Sequence, residues 1–343
     1  MQSMISETLY NNSQLIDGFG RQVTYLRLSV TDRCDLRCTY CMSEKMTFLP
    51  KAGLLSFEEL ERLCNIFIQR GVKHLRISGG EPLTRKDILS LFHKMERHLT
   101  TGALQELTVT TNATQLEKYA EELYRLGVRR INVSLDTLDE KKFLEITRRN
   151  KLTSVLRGID AALKAGLKVK INTVALRHKN VAELERMIRW AHSLQMDMSL
   201  IEAMPMGTID EDRIDQFIPL SAVKDLLCET MTFQESTYKT SGPSRYVTVS
   251  ETGGRLGFIS PLSHNFCENC NRVRITCTGQ LYTCLGNEGM IDLRPPLRAD
   301  YTNEKLVRAI DQALLIKPRG HDFNISRRGQ DPSVNRHMSV TGG

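Results

Sequence analysis

A chain of 343 residues with 41% hydrophobic and 25% charged side chains has ordinary globular composition, enough for one large domain with an appendage, or for two. No run of eighteen apolar residues exists, and MQSMISETLYNNSQLIDG at the start lacks a charged segment followed by an apolar core; no membrane span or signal peptide is expected, and a cytoplasmic protein is the reading. The net charge of +7 suits an anionic ligand, but scattered basic residues and 6% aromatics do not make a nucleic-acid surface.

Between residues 23 and 205 short apolar strands alternate with amphipathic helices. VTYLRLSV, KHLRISG, LQELTVTTN, RRINVSLD, KVKINTVAL and DMSLIEAMP read as strands. SFEELERLCNIFIQRG, TQLEKYAEELYRLG and NVAELERMIRWAHSL read as helices, with Ser56 and Asn180 as N-caps and Gly71, Gly127 and Gly166 closing the C-termini. Such alternation predicts a parallel sheet covered by helices, either an open doubly wound sheet or an incomplete barrel, with active groups at the strand C-terminal ends. After residue 206 the rhythm breaks. GTIDEDRIDQF is loop-like, SGPSRYVTVSETGGRLGFIS reads as short strands with turns, NEKLVRAIDQALLI as a helix, and SRRGQDPSVNRHMSVTGG as a flexible tail.

Nine cysteines in a chain of this kind point to metal binding or catalysis rather than to disulfides. Cys64 and Cys228 stand alone on helical patterns and are expected in the core. Cys34, Cys38 and Cys41 share one loop as C-x3-C-x2-C. A cubane [4Fe–4S] cluster accepts three thiolates and leaves one iron open to a small molecule, whereas structural zinc asks for four ligands. Cys267, Cys270, Cys277 and Cys284 form a second group, and their spacing alone fits a zinc ribbon as well as another three-thiolate cluster.

C-x3-C-x2-C with Tyr40 before the last cysteine, followed by ISGGEP, resembles the radical S-adenosylmethionine enzymes. That resemblance implies S-adenosylmethionine chelated at the open iron and cleaved to a 5′-deoxyadenosyl radical. It also implies contacts from Gly80 to the methionine amino group, from Ser134 to the carboxylate or ribose region, and from Tyr40 and Met204 to the adenosyl part.

FCENCNRVRIT…GQLYTCL resembles, more narrowly, the GTP 3′,8-cyclase family of molybdenum cofactor biosynthesis, and LRLSVTDRCDLRCTYCM, RISGGEPLTR, RRINVSLDTLD and IEAMPMG fall in that family's order across nearly the whole chain. The resemblance implies an α/β fold: an incomplete (β/α)6 TIM-like barrel over 23–235 after an N-terminal extension over 1–22. A C-terminal iron–sulfur domain over 236–325 would cover the barrel mouth, and a flexible tail over 326–343 would end in Gly342 and Gly343, reaching into the cavity. Cys267, Cys270 and Cys284 would hold a second [4Fe–4S] cluster that takes guanine, with Cys277 a bystander. Arg27, Arg76, Thr110, Lys170, Arg272 and Arg274 would contact GTP, and guanidinium forks suit its phosphates.

Implied partners are a reductant such as flavodoxin, cyclic pyranopterin monophosphate synthase for the product, and a second copy of the chain; no nucleic acid is expected. Three positions depart from the family pattern: Ser199 and His74 stand where basic residues are common, and Ala113 replaces a glycine. The competing readings are a two-cluster radical enzyme that modifies a peptide and a non-catalytic zinc or iron–sulfur protein. The first would call for more C-terminal cysteines, and the second leaves GGEP unexplained.

Overall fold

The computed structural model describes residues 14–264, 266–299 and 302–342. Its first half runs β1 (Tyr25–Ser29), α1 (Phe57–Gln69), β2 (His74–Ser78), α2 (Leu89–Thr100), β3 (Glu106–Thr111), α3 (Leu116–Arg125), β4 (Arg130–Ser134), α4 (Glu140–Thr147), α5 (Leu152–Lys164), β5 (Lys168–Ala175), α6 (Leu184–Ser193) and β6 (Asp197–Glu202). There follow α7 (Arg213–Gln216), α8 (Leu220–Leu227), β7 (Phe233–Glu235), β8 (Arg245–Val249), β9 (Arg255–Ile259), β10 (Arg272–Ile275), β11 (Gln280–Tyr282) and β12 (Met290–Asp292). The chain closes with α9 (Arg294–Ala299), α10 (Glu304–Leu315) and α11 (Met338–Thr341).

All six expected strands form, and they pair in parallel in sequence order. Their period-2 pattern explains why. Leu26 and Leu28, Leu75 and Ile77, Ile131 and Val133, and Val169 and Ile171 are buried in the core, leaving the alternate residues for the opposite face. α1 starts at Ser56, the expected N-cap, in a capping box in which Ser56 and Glu59 satisfy each other's backbone N–H groups. Gly71, Gly127 and Gly166 adopt φ of +105°, +86° and +86°, the left-handed turn out of a helix.

The later strands do not make a separate sheet. β9 adds parallel to β6 and carries β8 and β7; β10 adds parallel to β1 and carries β11 and β12. The twelve strands therefore form one open sheet with β12 and β7 at its edges, an incomplete barrel. The expected domain boundary at 235/236 falls between β7 and β8, which are antiparallel neighbours.

Three expectations need correction. Asn180 does not cap a helix: its side chain accepts from Leu176 N and donates to the Asp136 and Val174 carbonyls, and α6 begins after an intervening turn. Cys228 is exposed at the end of α8, because that helix is two turns long and its buried stripe consists of Leu220, Val223 and Leu227. Cys64 is fully buried as expected.

The stretch 326–342 is not a free tail. Arg328 pairs with Asp215, the backbone of Val334 bridges to Met206, and Arg336 pairs with Glu288. A polar segment can be ordered in this way when its partners lie elsewhere in the chain. Gly343 lies outside the described residues.

Candidate active site

Two cavities lie within the barrel. The first is at the C-terminal ends of the strands and is lined by Cys34, Cys38, Cys41, Tyr40, Gly80, Thr110, Ser134 and Met204. All four residues expected at S-adenosylmethionine thus share one cavity with the first cysteine triad. The cysteine loop is held from outside. Asp35 accepts from Asn112 Nδ2 at 2.8 Å, Thr114 Oγ1 at 2.6 Å and Lys151 Nζ at 2.9 Å. Tyr40 donates its hydroxyl to Asp136 at 2.7 Å.

The glycines of GGEP lie against the start of that loop. Gly80 N donates to Thr31 O at 2.7 Å, and Glu81 N donates to Arg33 O at 2.7 Å. A Cβ on Gly80 would sit 2.5 Å from the Arg33 carbonyl carbon and nearer still to its oxygen. Glu81 is fully buried and accepts from Leu83 N, Thr111 Oγ1 and Asn112 N; burial pushes its carboxyl up to about 7. Asn112 is followed by Ala113 at φ +63°, so alanine does hold the left-handed conformation expected of glycine, at a cost of about 1 kcal/mol.

These residues fit a three-thiolate cluster. The Leu36 backbone N–H lies 3.4 Å, and Asn112 Nδ2 3.7 Å, from Cys34 Sγ, the kind of donors that a thiolate ligand needs. Burial drives the Cys34 thiol up to about 12 and Cys41 to about 11, so a metal must displace their protons.

The second cavity faces the other way. β10 lies parallel to β1 with Arg272 opposite Tyr25, so Cys267 and Cys270, just before β10, stand at the end of the barrel where β1 begins. The C-terminal region therefore closes the end opposite the first cysteine loop. This cavity is lined by Cys267, Cys270, Cys284, Arg27, Arg76, Arg272 and Arg274, and among the described residues none of its lining groups is an aspartate or glutamate. Burial, and then Arg272, hold the Arg274 guanidinium down to about 10; burial, Arg274 and Arg76 depress Arg27. Packed cations in this state ask for an anion.

Cys277 is fully buried and does not line the cavity, in keeping with a bystander. Cys270 differs from the first triad. Burial raises its thiol, but Lys317 and Arg272 outweigh that and bring it below its ordinary value.

The two cavities meet at Asn172, Ile201, Met204 and Met338, which line both. Asn172 is the residue the sequence reading missed. It lies two along β5 from Lys170, so the same alternation would have found it, and its Oδ1 is buried without a hydrogen-bond partner. The tail reaches this junction. Arg274 Nη1 donates to Gly342 O at 2.8 Å, and Gly342, at φ +80°, packs against Ser78 so closely that a Cβ would collide with it.

Thr110 lines the first cavity rather than the second, though Arg27 Nη2 reaches it at 3.3 Å. Lys170 is not on either wall: it is buried behind Tyr246, donating to its hydroxyl at 2.7 Å. Burial, then Arg76 and Arg130, lower its ammonium to about 7. A lysine held below its unfolded value costs stability in full under pH 7, and the cost fades as pH rises from there towards the unfolded pKa. Lys170→Met is accordingly expected to stabilise the protein by roughly 2 kcal/mol at pH 6 and by less at pH 9. Thermal melts at both values check this, and an equal shift at each would refute it.

His74 faces Glu106 at 3.5 Å and stacks on Tyr25, while Glu106 also holds Arg130. Ser199 is buried and hydrogen-bonds Ser244 at 2.9 Å, tying β6 to the loop before β8. A Cβ on Gly257 would come within 2.5 Å of Ser199 Oγ, so the absence of a side chain at 257 is what makes room for that hydroxyl.

Residues 28–191 match the family described as Radical SAM superfamily, and residues 196–323 match the one described as Molybdenum Cofactor Synthesis C. An open barrel with a three-cysteine loop after its first strand is thereby placed in the radical S-adenosylmethionine class. The GTP 3′,8-cyclase of Bradyrhizobium diazoefficiens is 61% identical over 97% of this chain and 96% of that protein. The GTP 3′,8-cyclase of Mesorhizobium japonicum is 61% identical over 96% and 99%, and that of Brucella ovis 59% identical over 100% and 98%. The chain belongs to the GTP 3′,8-cyclase family.

Among solved structures, Streptococcus suis SuiB bound to precursor peptide SuiA is similar in fold, with a TM-score of 0.63 and 17% identity over 89% of this chain and 73% of that one. SuiB bound to S-adenosylmethionine gives a TM-score of 0.59 at 16% identity over 93% and 77%. No helix among the described residues is long and apolar enough to cross a membrane.

Proposed function

We propose that this chain converts GTP to (8S)-3′,8-cyclo-7,8-dihydroguanosine 5′-triphosphate, the first step of molybdenum cofactor biosynthesis. The observation that carries this reading is a four-arginine cavity beside three cysteines, joined end to end with a second three-cysteine cavity. Cys34, Cys38 and Cys41 would hold one [4Fe–4S] cluster, with S-adenosylmethionine among Tyr40, Gly80, Ser134 and Met204. Cys267, Cys270 and Cys284 would hold the other, beside the guanine. When bound, S-adenosylmethionine supplies the radical that removes the ribose 3′ hydrogen.

The protein's own part is position and shielding. Arg27, Arg76, Arg272 and Arg274 would neutralise the triphosphate, a charge that nothing else lining the cavity matches. The orphaned Oδ1 of Asn172 would accept a hydrogen bond from a ribose hydroxyl where the two cavities meet. Met338 and Ser339 line the first cavity, where they would help to exclude water. Fixing cofactor and base from opposite ends of one lumen fixes the reacting atoms in orientation. Residues 23–235 would hold the cofactor and lend Arg27 and Arg76 to the substrate, and 236–325 would supply the second cluster with Arg272 and Arg274. A flavodoxin-type donor would supply the electron, cyclic pyranopterin monophosphate synthase would take the product, and two copies of the chain would pair.

Anaerobically reconstituted protein should form 5′-deoxyadenosine from S-adenosylmethionine and reductant, strongly stimulated by GTP and with a new nucleotide product. Cleavage that GTP does not change would remove GTP as the substrate. No cleavage from protein with intact clusters would remove the enzyme reading.

A further inference from the structure

α10 ends at Leu315, and the segment Lys317–Gly320 runs on along the wall that carries the second cysteine triad. Lys317 is 2% exposed, a rare position for an ammonium. It does not line the nucleotide cavity. Its Nζ donates to Thr283 O at 2.7 Å and to Arg272 O at 3.3 Å, and it lies 3.6 Å from Cys270 Sγ. An ammonium has three N–H donors, and here it meets three acceptors. Thr283 precedes Cys284, and Arg272 follows closely on Cys270, so one side chain ties together both cysteine-bearing segments.

The third cysteine is tied to the same segment by a different cation. Arg21 Nη1 donates to Cys267 O at 2.8 Å and to Arg319 O at 2.9 Å, and Nη2 donates to Pro318 O at 2.6 Å. Asp17 fixes that guanidinium through Nε at 2.7 Å. Gly320 leaves space beside Cys267, since even a Cβ there would come within 3.7 Å of its sulfur.

We propose that Lys317 is a positioning residue for the second cluster, holding the segments of Cys270 and Cys284 at ligating separation and hydrogen-bonding the Cys270 thiolate. This rests on reading Cys267, Cys270 and Cys284 as a cluster site. Three thiolates bring excess negative charge to a cluster, and a cation that hydrogen-bonds one of them stabilises the reduced state. Removing Lys317 therefore loosens the cluster and moves its potential to more negative values.

The test uses full-length protein with Cys34, Cys38 and Cys41 changed to alanine, so that only the second cluster can assemble. Iron and sulfide are counted first. A parent that holds neither overturns the cluster reading itself, and the role of Lys317 falls with it. Given a loaded parent, Lys317→Met keeps the length of the side chain and loses its donors. It is expected to lose iron to a chelator about tenfold faster and to show a more negative potential by redox titration. Lys317→Arg, which keeps the charge, should restore most of the potential.

A methionine variant that matches the parent in both rate and potential overturns the role of Lys317. If Lys317→Met fails to fold by circular dichroism, the unmutated lysine is read directly. In parent protein labelled with 15N-lysine, pulsed EPR of the reduced cluster should show a 15N hyperfine coupling, and its absence overturns the assignment.

Discussion

Gly80→Ala is expected to abolish S-adenosylmethionine cleavage and strip iron from the first site while leaving the second loaded. The methyl group would be driven into the Arg33 carbonyl, which is backbone and receives the Glu81 N–H. The cysteine loop and the GGEP turn must then separate, breaking the bonds from Gly80 to Thr31 and from Glu81 to Arg33, at a cost on the order of 3 kcal/mol or more. Glu81 is buried beneath the same turn and ties it to Thr111 and Asn112, so the displacement spreads to the far wall of the cavity. Iron analysis in proteins lacking one triad or the other would separate the two sites. A Gly80→Ala protein that cleaves S-adenosylmethionine at the parent rate would show that the close approach is not required.

Arg274→Met is expected to weaken GTP binding by ~2–3 kcal/mol, roughly 30- to 150-fold in Kd, without lowering the melting temperature of the nucleotide-free protein. Arg274 lies opposite Arg27 across the β1–β10 pairing; burial and then repulsion by Arg274 lower the proton affinity of Arg27, and burial and then repulsion by Arg272 lower that of Arg274. In the absence of an anion, removing one of these cations relieves that repulsion; in its presence, the same change deletes a charge-assisted hydrogen bond. The bond from Arg274 to Gly342 O is also lost, so the tail becomes easier to cleave by carboxypeptidase. Anaerobic calorimetry with GTP in the absence of S-adenosylmethionine measures the affinity, and an unchanged Kd would take Arg274 out of the nucleotide site.

Much of this architecture was legible because the signals are local. Each βα unit announces itself through apolar period, cap and glycine, and the first cysteine triad through its spacing; the second triad is told from a zinc ribbon only by resemblance. Arg27, Arg76, Arg272 and Arg274 are named through the resemblance, and all four line one cavity. What stayed hidden depends on pairing between distant residues. Nothing near Cys267 says that β10 will lie beside β1, which is what sends the two triads to opposite ends of the lumen. Lys170 faces inward as its strand predicts, but Tyr246, which buries it, comes from β8. The tail has little apolar content, and Asp215, Glu288 and Arg274, far behind it in the chain, help to order it.

That same long-range pairing bears on how the molecule is made. Among the described strands β1 leaves the ribosome first, yet the partner along its outer edge is β10, and the bond from Asn271 to Thr24 spans 247 residues. Until then β1 carries an open row of N–H and C=O groups, and β6 waits in the same condition for β9. A nascent chain that pauses before β9 is thus a half-barrel with both β1 and β6 unpaired along their outer edges, the kind of species that other chains can join. A chain that stops before β9 would aggregate rather than form a smaller working protein.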